Sequence, residues 1–224
     1  MVDCGFDSAL FGFLADLAAN NSTPWFQAHR QRFEDEVRTP MLGFILAVSE
    51  PLAAISPYFE ANPARSGGSM FRINRDIRFT PDKRPYKTHV GAQFRHRECP
   101  RDVHSPGFYL HLEPGGCFVG AGLWRPDPKT LQRVREQIVA HPQTWTALTA
   151  EGLTVQGESA TRVPRGFDPT HPLAGALKLK DYYTAISLSE AQVCHPDFLG
   201  IFSSLCRQQA PLVHFLAEAL DLAW

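Results

Sequence analysis

The sequence predicts an α+β fold: one domain over residues 1–224, with a mainly antiparallel sheet flanked by N-terminal and C-terminal helices. Three observations predict it. Apolar residues of the first third recur at helical spacing, and those of the middle third alternate with polar ones as in half-buried strands. Helical spacing then returns near the C-terminus. No internal repeat, low-complexity tract or linker divides the 224 residues. A chain of this length buries roughly 70% of its unfolded surface and needs neither metal nor disulfide to hold a core.

The elements follow in order. Phe6, Leu10, Phe13, Leu14 and Leu17 line one helical face, and Asn20-Asn21 stops it. Thr23-Pro24 reads as an N-cap followed by a proline at the first helical position, opening a helix to about Arg38. Pro40 starts a third helix, with a kink or break at Pro51. Residues 57–68, rich in Pro, Gly and small side chains, form a loop. Phe71, Ile73, Ile77 and Phe79 then alternate with Arg72, Asn74, Asp76 and Arg78, the pattern of a half-buried strand. A second strand carries Tyr86, Val90, Ala92 and Phe94. Residues 107–113 and 117–124, joined by Pro114-Gly115-Gly116, read as a β-hairpin. Asp127-Pro128 opens a helix that ends at His141-Pro142, and a short helix surrounds Trp145. Residues 151–167 are irregular, with short strand segments. Tyr182–Leu188 is a further strand, and the helical C-terminus is interrupted near Pro211.

Composition narrows the function classes. Five scattered cysteines without a CxxC pair argue for reduced thiols and against a disulfide framework or a cysteine-rich zinc site. The apolar start lacks a basic leading region and contains Asp7 and Asp16, and no apolar run approaches about 18 residues. A cytoplasmic protein with no membrane partner is the expectation.

The basic charge is concentrated. From Arg65 to Arg97 nine Lys/Arg face two acids, a local +7 in a chain of net charge −1. Such asymmetry points to an anion site. On a regular strand Arg72, Asn74, Asp76 and Arg78 share a face, while Arg75 falls in apolar phase and requires either a bulge or a buried partner. Lys87 and His89 are in phase with Gln93 and Arg95. Tyr109, His111 and Glu113 are in phase on the hairpin, and Gly120 and Gly122 share a face of its return strand.

The motifs carry a resemblance. Asn-Ser-Thr-Pro-Trp-Phe (residues 21–26), the run Arg72–His89, Gly107–Pro114 with Gly120-x-Gly122, and Pro-Arg-Gly-Phe-Asp-Pro-Thr-His-Pro (residues 164–172) with Lys178-x-Lys180 resemble an uncharacterised family, domain of unknown function 2461. The resemblance implies a shared fold and site. It assigns no reaction.

If these faces coincide, Arg72, Arg78, Lys87, His89, Tyr109 and His111 converge above Gly120 and Gly122, with Lys178 and Lys180 on a second wall. Arginine supplies paired donors to a phosphate or carboxylate, lysine a point charge and histidine a titratable proton. The expected ligand is a small anion, phosphorylated. His89 or His111 is the proton-transfer candidate, and Asp76 its orienting partner. Two rivals stand beside this reading. One is a nucleic-acid-binding face extended by Lys83, Arg84, Arg95 and Arg97; the other is a structural or regulatory protein whose Arg/Asp cassette is an internal ion-pair lattice. His111-x-Glu113 with His89 or His104 could supply metal ligands, but no HExxH or comparable helical spacing is present and the surrounding positive charge repels a cation. No metal and no cofactor are expected. There is no Gly-x-Ser-x-Gly elbow, P-loop or GxGxxG fingerprint.

Overall fold

Asp7 caps the first helix by accepting a hydrogen bond from Ala9 N–H at 2.8 Å, so helix α1 (Ser8–Ala19) begins one residue later and buries Leu10, Phe13, Leu14 and Leu17. The computed structural model describes residues 5–99, 102, 104–150 and 152–224. Cys4 lies outside the described residues, and Cys99, Cys117, Cys194 and Cys206 are free thiols. Helix α2 (Thr23–Ala28) is capped by Ser22 rather than Thr23, which is already helical. The predicted run to Arg38 breaks at His29, whose Nδ1 lies 2.8 Å from the Trp25 carbonyl and whose ring stacks on Trp25. The chain continues as α3 (Arg30–Arg32), a π-helical turn (Phe33–Arg38) and α4 (Thr39–Ala47), then α5 (Ser49–Ala53), with Pro51 inside the last.

Five strands form one antiparallel sheet in sequence order: β1 (Phe59–Glu60), β2 (Val90–His96), β3 (Gly107–Leu112), β4 (Cys117–Leu123) and β5 (Tyr182–Leu188). Alternation decides its two faces. Ala92, Phe94, Phe108, Leu110, Val119 and Ala121 are buried and pack with the N-terminal helices and α10 (Phe198–Ala219), as in the Phe94–Phe202 and Phe44–Phe202 ring contacts. Gln93, Arg95, Tyr109, His111 and Phe118 point the other way and are only partly buried. Between β4 and β5 run α6 (Pro128–Ala140), α7 (Pro142–Ala150) and α8 (Ala174–Leu177); α9 (Glu190–Val193) follows β5. A second cluster, with Val134, Ile138, Trp145, Leu177 and Phe215, closes around Leu123 and Tyr182. Helix α10 is continuous through Pro211. The carbonyl that loses its partner belongs to Arg207, an exposed residue on the solvent side of the helix. No helix among the described residues is long and apolar enough to cross a membrane.

The strand expected over Phe71–Phe79 is absent. That segment and its flank make isolated bridges, Met70 with Ala92 and Asn74 with Tyr86, through Phe71 N–H to the Gly91 carbonyl, Lys87 N–H to the Ile73 carbonyl and Arg75 N–H to the Pro85 carbonyl. Two Asx turns divert it: Asp76 Oδ1 accepts from Arg78 N–H and Asp82 Oδ1 from Arg84 N–H. Pro81 and Pro85 remove two further donors. The result is an irregular loop whose tip carries Phe79, 91% exposed where alternation placed it inside. Asn21 anchors the returning arm with both ends of its amide: Oδ1 accepts from Tyr86 N–H and Nδ2 donates to the Tyr86 carbonyl, each at 3.0 Å. The strand predicted from Tyr86 therefore begins only at Val90.

Candidate functional site

The ladder registers place one group of polar side chains on the open sheet face. Gly91 pairs with His111 and His111 with Phe118; Gln93 pairs with Tyr109 and Tyr109 with Gly120. Extending the β2–β3 register one step beyond Val90–Leu112 sets His89 opposite Glu113. Tyr109, His111 and Glu113, alternate residues of one chain segment, form a hydrogen-bonded series. Tyr109 Oη lies 3.0 Å from His111 Nδ1, and His111 Nε2 lies 3.3 Å from Glu113 Oε2. Thr88 Oγ1 donates to the other carboxylate oxygen, Oε1, at 2.8 Å. The His89 ring lies 4.4 Å from that of His111, and Phe118 stacks on His111 at 4.6 Å and 14°.

Gly91 makes the arrangement possible. A Cβ there would sit 2.8 Å from two Tyr109 ring carbons and nearer still to the hydroxyl, so Tyr109 lies flat across β2 only because position 91 has no side chain.

Burial dominates the electrostatics. It pushes His89 down to about 4, helped by neighbouring His111 and Lys87 and opposed by Glu113. Burial likewise lowers His111 against the pull of Glu113, and raises the Tyr109 phenol well above its ordinary value. Burial resists ionisation of Glu113, but the hydrogen bonds from Thr88 and His111 outweigh it and hold the carboxyl below its usual range. At neutral pH the group is thus two neutral imidazoles, a neutral phenol and one carboxylate. Lys87 is lowered by burial first and by the nearby Arg72 guanidinium second. Its ammonium sits 5.2 Å from the Phe71 ring centroid, with Arg95 over the same ring at 5.6 Å. Among the described residues no carboxylate pairs with Lys87 or Arg72.

Other predicted residues lie apart from this group. Arg78 is spent on Asp76, with Nε to Oδ1 at 3.0 Å and a terminal nitrogen to Oδ2 at 2.7 Å, and its side chain is 75% exposed. Asp76, expected to orient a histidine, is therefore held by that guanidinium, which keeps its carboxyl far below the ordinary range. Arg75 resolves as paired: it reaches Asp82 at 2.7 Å and the Arg84 carbonyl, and Arg84 shares the same carboxylate. Lys83 donates to the Ile77 carbonyl. Gly120 borders Tyr109 on the open face, whereas Gly122 lies two residues on, against Tyr182 and Tyr183. Lys180 pairs with Glu158 at 2.6 Å, and it and Lys178 precede the Tyr182 end of β5. His111 aligns through Phe118 with Ser187, five residues along that strand from Tyr182. At about 3.3 Å per residue, both lysines are more than about 15 Å from His111. His104 is engaged by the Trp124 carbonyl at 2.7 Å.

Three residues missing from the predicted site belong to it: Glu113, Thr88 and Gly91. Glu113 was legible from the Tyr109/His111/Glu113 phase. Thr88 and Gly91 were not, because their roles depend on cross-strand register. His89, His111 and Glu113 each offer one ligand atom, and those three atoms lie within 4.8 Å of one another. They are the described side chains that satisfy a metal-ligand geometry.

The family of conserved hypothetical proteins designated DUF2461 matches residues 9–215. The chain belongs to that family. No curated protein and no solved structure matches it.

Proposed function

We propose that the protein binds a small anionic, phosphorylated ligand on the open sheet face, between the Arg72/Lys87 pair and the Tyr109–His111–Glu113 series. One observation carries this reading: two like charges lie side by side, one of them half-buried, and no described carboxylate pairs with either. Holding an ammonium out of water beside a guanidinium is unfavourable, and an incoming anion relieves both costs. Arg72 contributes paired donors, Lys87 the buried point charge, and His111 the group that hands a proton to or from the ligand along its hydrogen bonds. Glu113 takes the orienting role that the sequence suggested for Asp76. The nucleic-acid reading is weaker, because Arg78 and Arg84 are already paired with Asp76 and Asp82.

The test is thermal stabilisation of chelator-treated protein by phosphate, sulfate, sugar phosphates, nucleotides and oligonucleotides. A ligand at 100 times its dissociation constant adds about 2.7 kcal/mol, or roughly 5–11 °C for a chain of this size. Lys87→Met abolishes the shift and Arg78→Ala leaves it intact. No shift with any small anion at millimolar concentration refutes the proposal. Stabilisation by oligonucleotides alone, with affinity falling steeply with salt, transfers the face to nucleic acid.

A further inference from the structure

We infer that His89, His111 and Glu113 form a binding site for a first-row divalent metal ion, a two-histidine, one-carboxylate set whose remaining coordination positions are open to water or a ligand oxygen. The inference rests on side-chain geometry and not on the anion reading.

The first argument is spacing. Zinc–nitrogen and zinc–oxygen bonds of about 2.0–2.2 Å at a tetrahedral angle set two ligand atoms about 3.3–3.5 Å apart. His111 Nε2 and Glu113 Oε2 are 3.3 Å apart. That separation is long for a charge-assisted hydrogen bond, which favours about 2.7–2.9 Å, but it matches one edge of a coordination tetrahedron. The third atom, on His89, lies within 4.8 Å of the other two. Closing that gap requires about 1.5 Å or less of ring movement to reach bonding geometry.

The second argument is support. Ligating imidazoles and carboxylates are oriented by outer hydrogen bonds that fix their tautomer and rotamer. His111 Nδ1 meets the Tyr109 hydroxyl at 3.0 Å, so when a metal displaces the Nε2 proton that faces Glu113, an Nδ1–H donated to that hydroxyl would hold the ring in place. Thr88 holds Glu113 Oε1 at 2.8 Å and leaves Oε2 facing His111. Phe118 stacks flat on the His111 ring and fixes its plane. Two of the three ligands are thus pre-oriented; the hydrogen-bonding supports Tyr109 and Thr88 come from the segments that carry the ligands, and Phe118 from β4.

The third argument concerns charge, the ground on which the sequence reading set a metal aside. Part of the positive charge around the site is offset in place: Arg78 pairs with Asp76, and Arg75 and Arg84 share the single carboxylate of Asp82. Lys87 and Arg72 remain, and together with a metal ion they would grip one anion from two sides, as arginine or lysine and a metal do at phosphoryl oxygens. Nitrogen-rich sets with one carboxylate and open positions suit Zn²⁺ and Fe²⁺ rather than Mg²⁺ or Ca²⁺, which prefer oxygen.

The experiment is equilibrium dialysis of the chelator-treated full chain against Zn²⁺, Co²⁺ or Mn²⁺, with bound metal measured by elemental mass spectrometry. Visible d–d bands report the Co²⁺ coordination. The expected result is one equivalent of Zn²⁺ or Co²⁺ per chain. It is lost in His111→Ala and Glu113→Gln and weakened about 10–100-fold in Thr88→Val, which removes only a supporting hydrogen bond. His89→Asn, at a half-buried position, gives the same loss should His111→Ala fail to fold by circular dichroism. No retained metal in the wild type overturns the inference. So does a stoichiometric ion that survives His89→Asn together with Glu113→Gln, since it would then sit elsewhere, for instance on the free cysteines. Because the anion test is run on chelated protein, a phosphate shift without metal binding sinks this inference and leaves the proposed function standing.

Discussion

Gly120 and Gly122 look equivalent in the sequence but should respond oppositely to a methyl group. At Gly122 the backbone φ is +124°, a conformation that side chains rarely adopt, and a Cβ would lie 2.7 Å from Tyr183 Cα and closer still to the Tyr182 carbonyl oxygen. Those atoms are the backbone of β5, so no flexible side chain can move aside; β4 and β5 must separate locally. Backbone strain of about 1–3 kcal/mol adds to overpacking of about 1–3 kcal/mol. Gly122→Ala therefore destabilises by about 2–6 kcal/mol, or roughly 4–24 °C in Tm for a chain of this size. At Gly120 the nearest atoms to a Cβ are the Phe118 ring and the Thr184 carbonyl, both at 3.5 Å, an ordinary contact. Gly120→Ala also lowers the entropy of the unfolded chain, worth about 0.4–1 kcal/mol, so its net effect stays within about 1 kcal/mol. Urea titrations followed by circular dichroism, with m-values checked for constancy, measure both. A Gly122→Ala midpoint matching the wild type, or a Gly120→Ala loss as large as that of Gly122→Ala, refutes the reasoning.

Two further outcomes follow from buried polar contacts. Asn21→Ala leaves both the N–H and the carbonyl of buried Tyr86 without their partner; at about 1–3 kcal/mol for each unsatisfied group it should cost about 2–6 kcal/mol in a urea melt, with Asn21→Asp recovering only the acceptor half. Tyr182, fully buried with its hydroxyl on the Ala176 carbonyl, is pushed up to about 12 by burial, against a smaller opposing pull from Arg135. Below about pH 10 the phenol is protonated in both states, so its stability is fully present there. Between about 10 and 12 only the unfolded chain releases the proton, and up to about 2.7 kcal/mol is lost as pH rises. Tyr182→Phe should thus be about 1 kcal/mol less stable near pH 8 yet show a shallower alkaline limb; parallel limbs for the two proteins would contradict this.

The fold was largely legible because its elements announce themselves locally. The 114–116 turn, the alternation on either side of it and the capped helix at Asp127 each need only neighbours in sequence, and each stands where expected. The failures share a cause. Phe71–Phe79 alternates as a strand does, yet the Asp76 Asx turn competes for its N–H groups, and on the returning arm the Asp82 turn, Pro81 and Pro85 remove ladder partners, so it never completes a ladder. Register was the other blind spot. Nothing local reveals that Gly91 lies under Tyr109 or that Thr88 reaches Glu113 across the β2–β3 boundary.

The basic cassette shows why counting charge misplaces a site. The local excess is real, but an arginine two residues from an aspartate, on a turn that already brings them together, is a closed pair. Asp76 and Asp82 accordingly absorb Arg75, Arg78 and Arg84. Half-buried Lys87 and exposed Arg72 form no ion pair with a described carboxylate, although Arg72 lies near enough to Asp76 to help lower its carboxyl. Among the described residues the carboxylate grouped with His89 and His111 is Glu113, which is turned toward His111 and Thr88 and forms no ion pair with either cation. The open sheet face therefore holds a separated polarity, with unpaired positive charge on the loop side and neutral imidazoles with a single carboxylate on the β3 side. The proposed anionic ligand would satisfy the first by its charge and the second by a proton site or a metal-binding oxygen. Phosphate esters meet both conditions, whereas a neutral ligand of the same size leaves the first unmet.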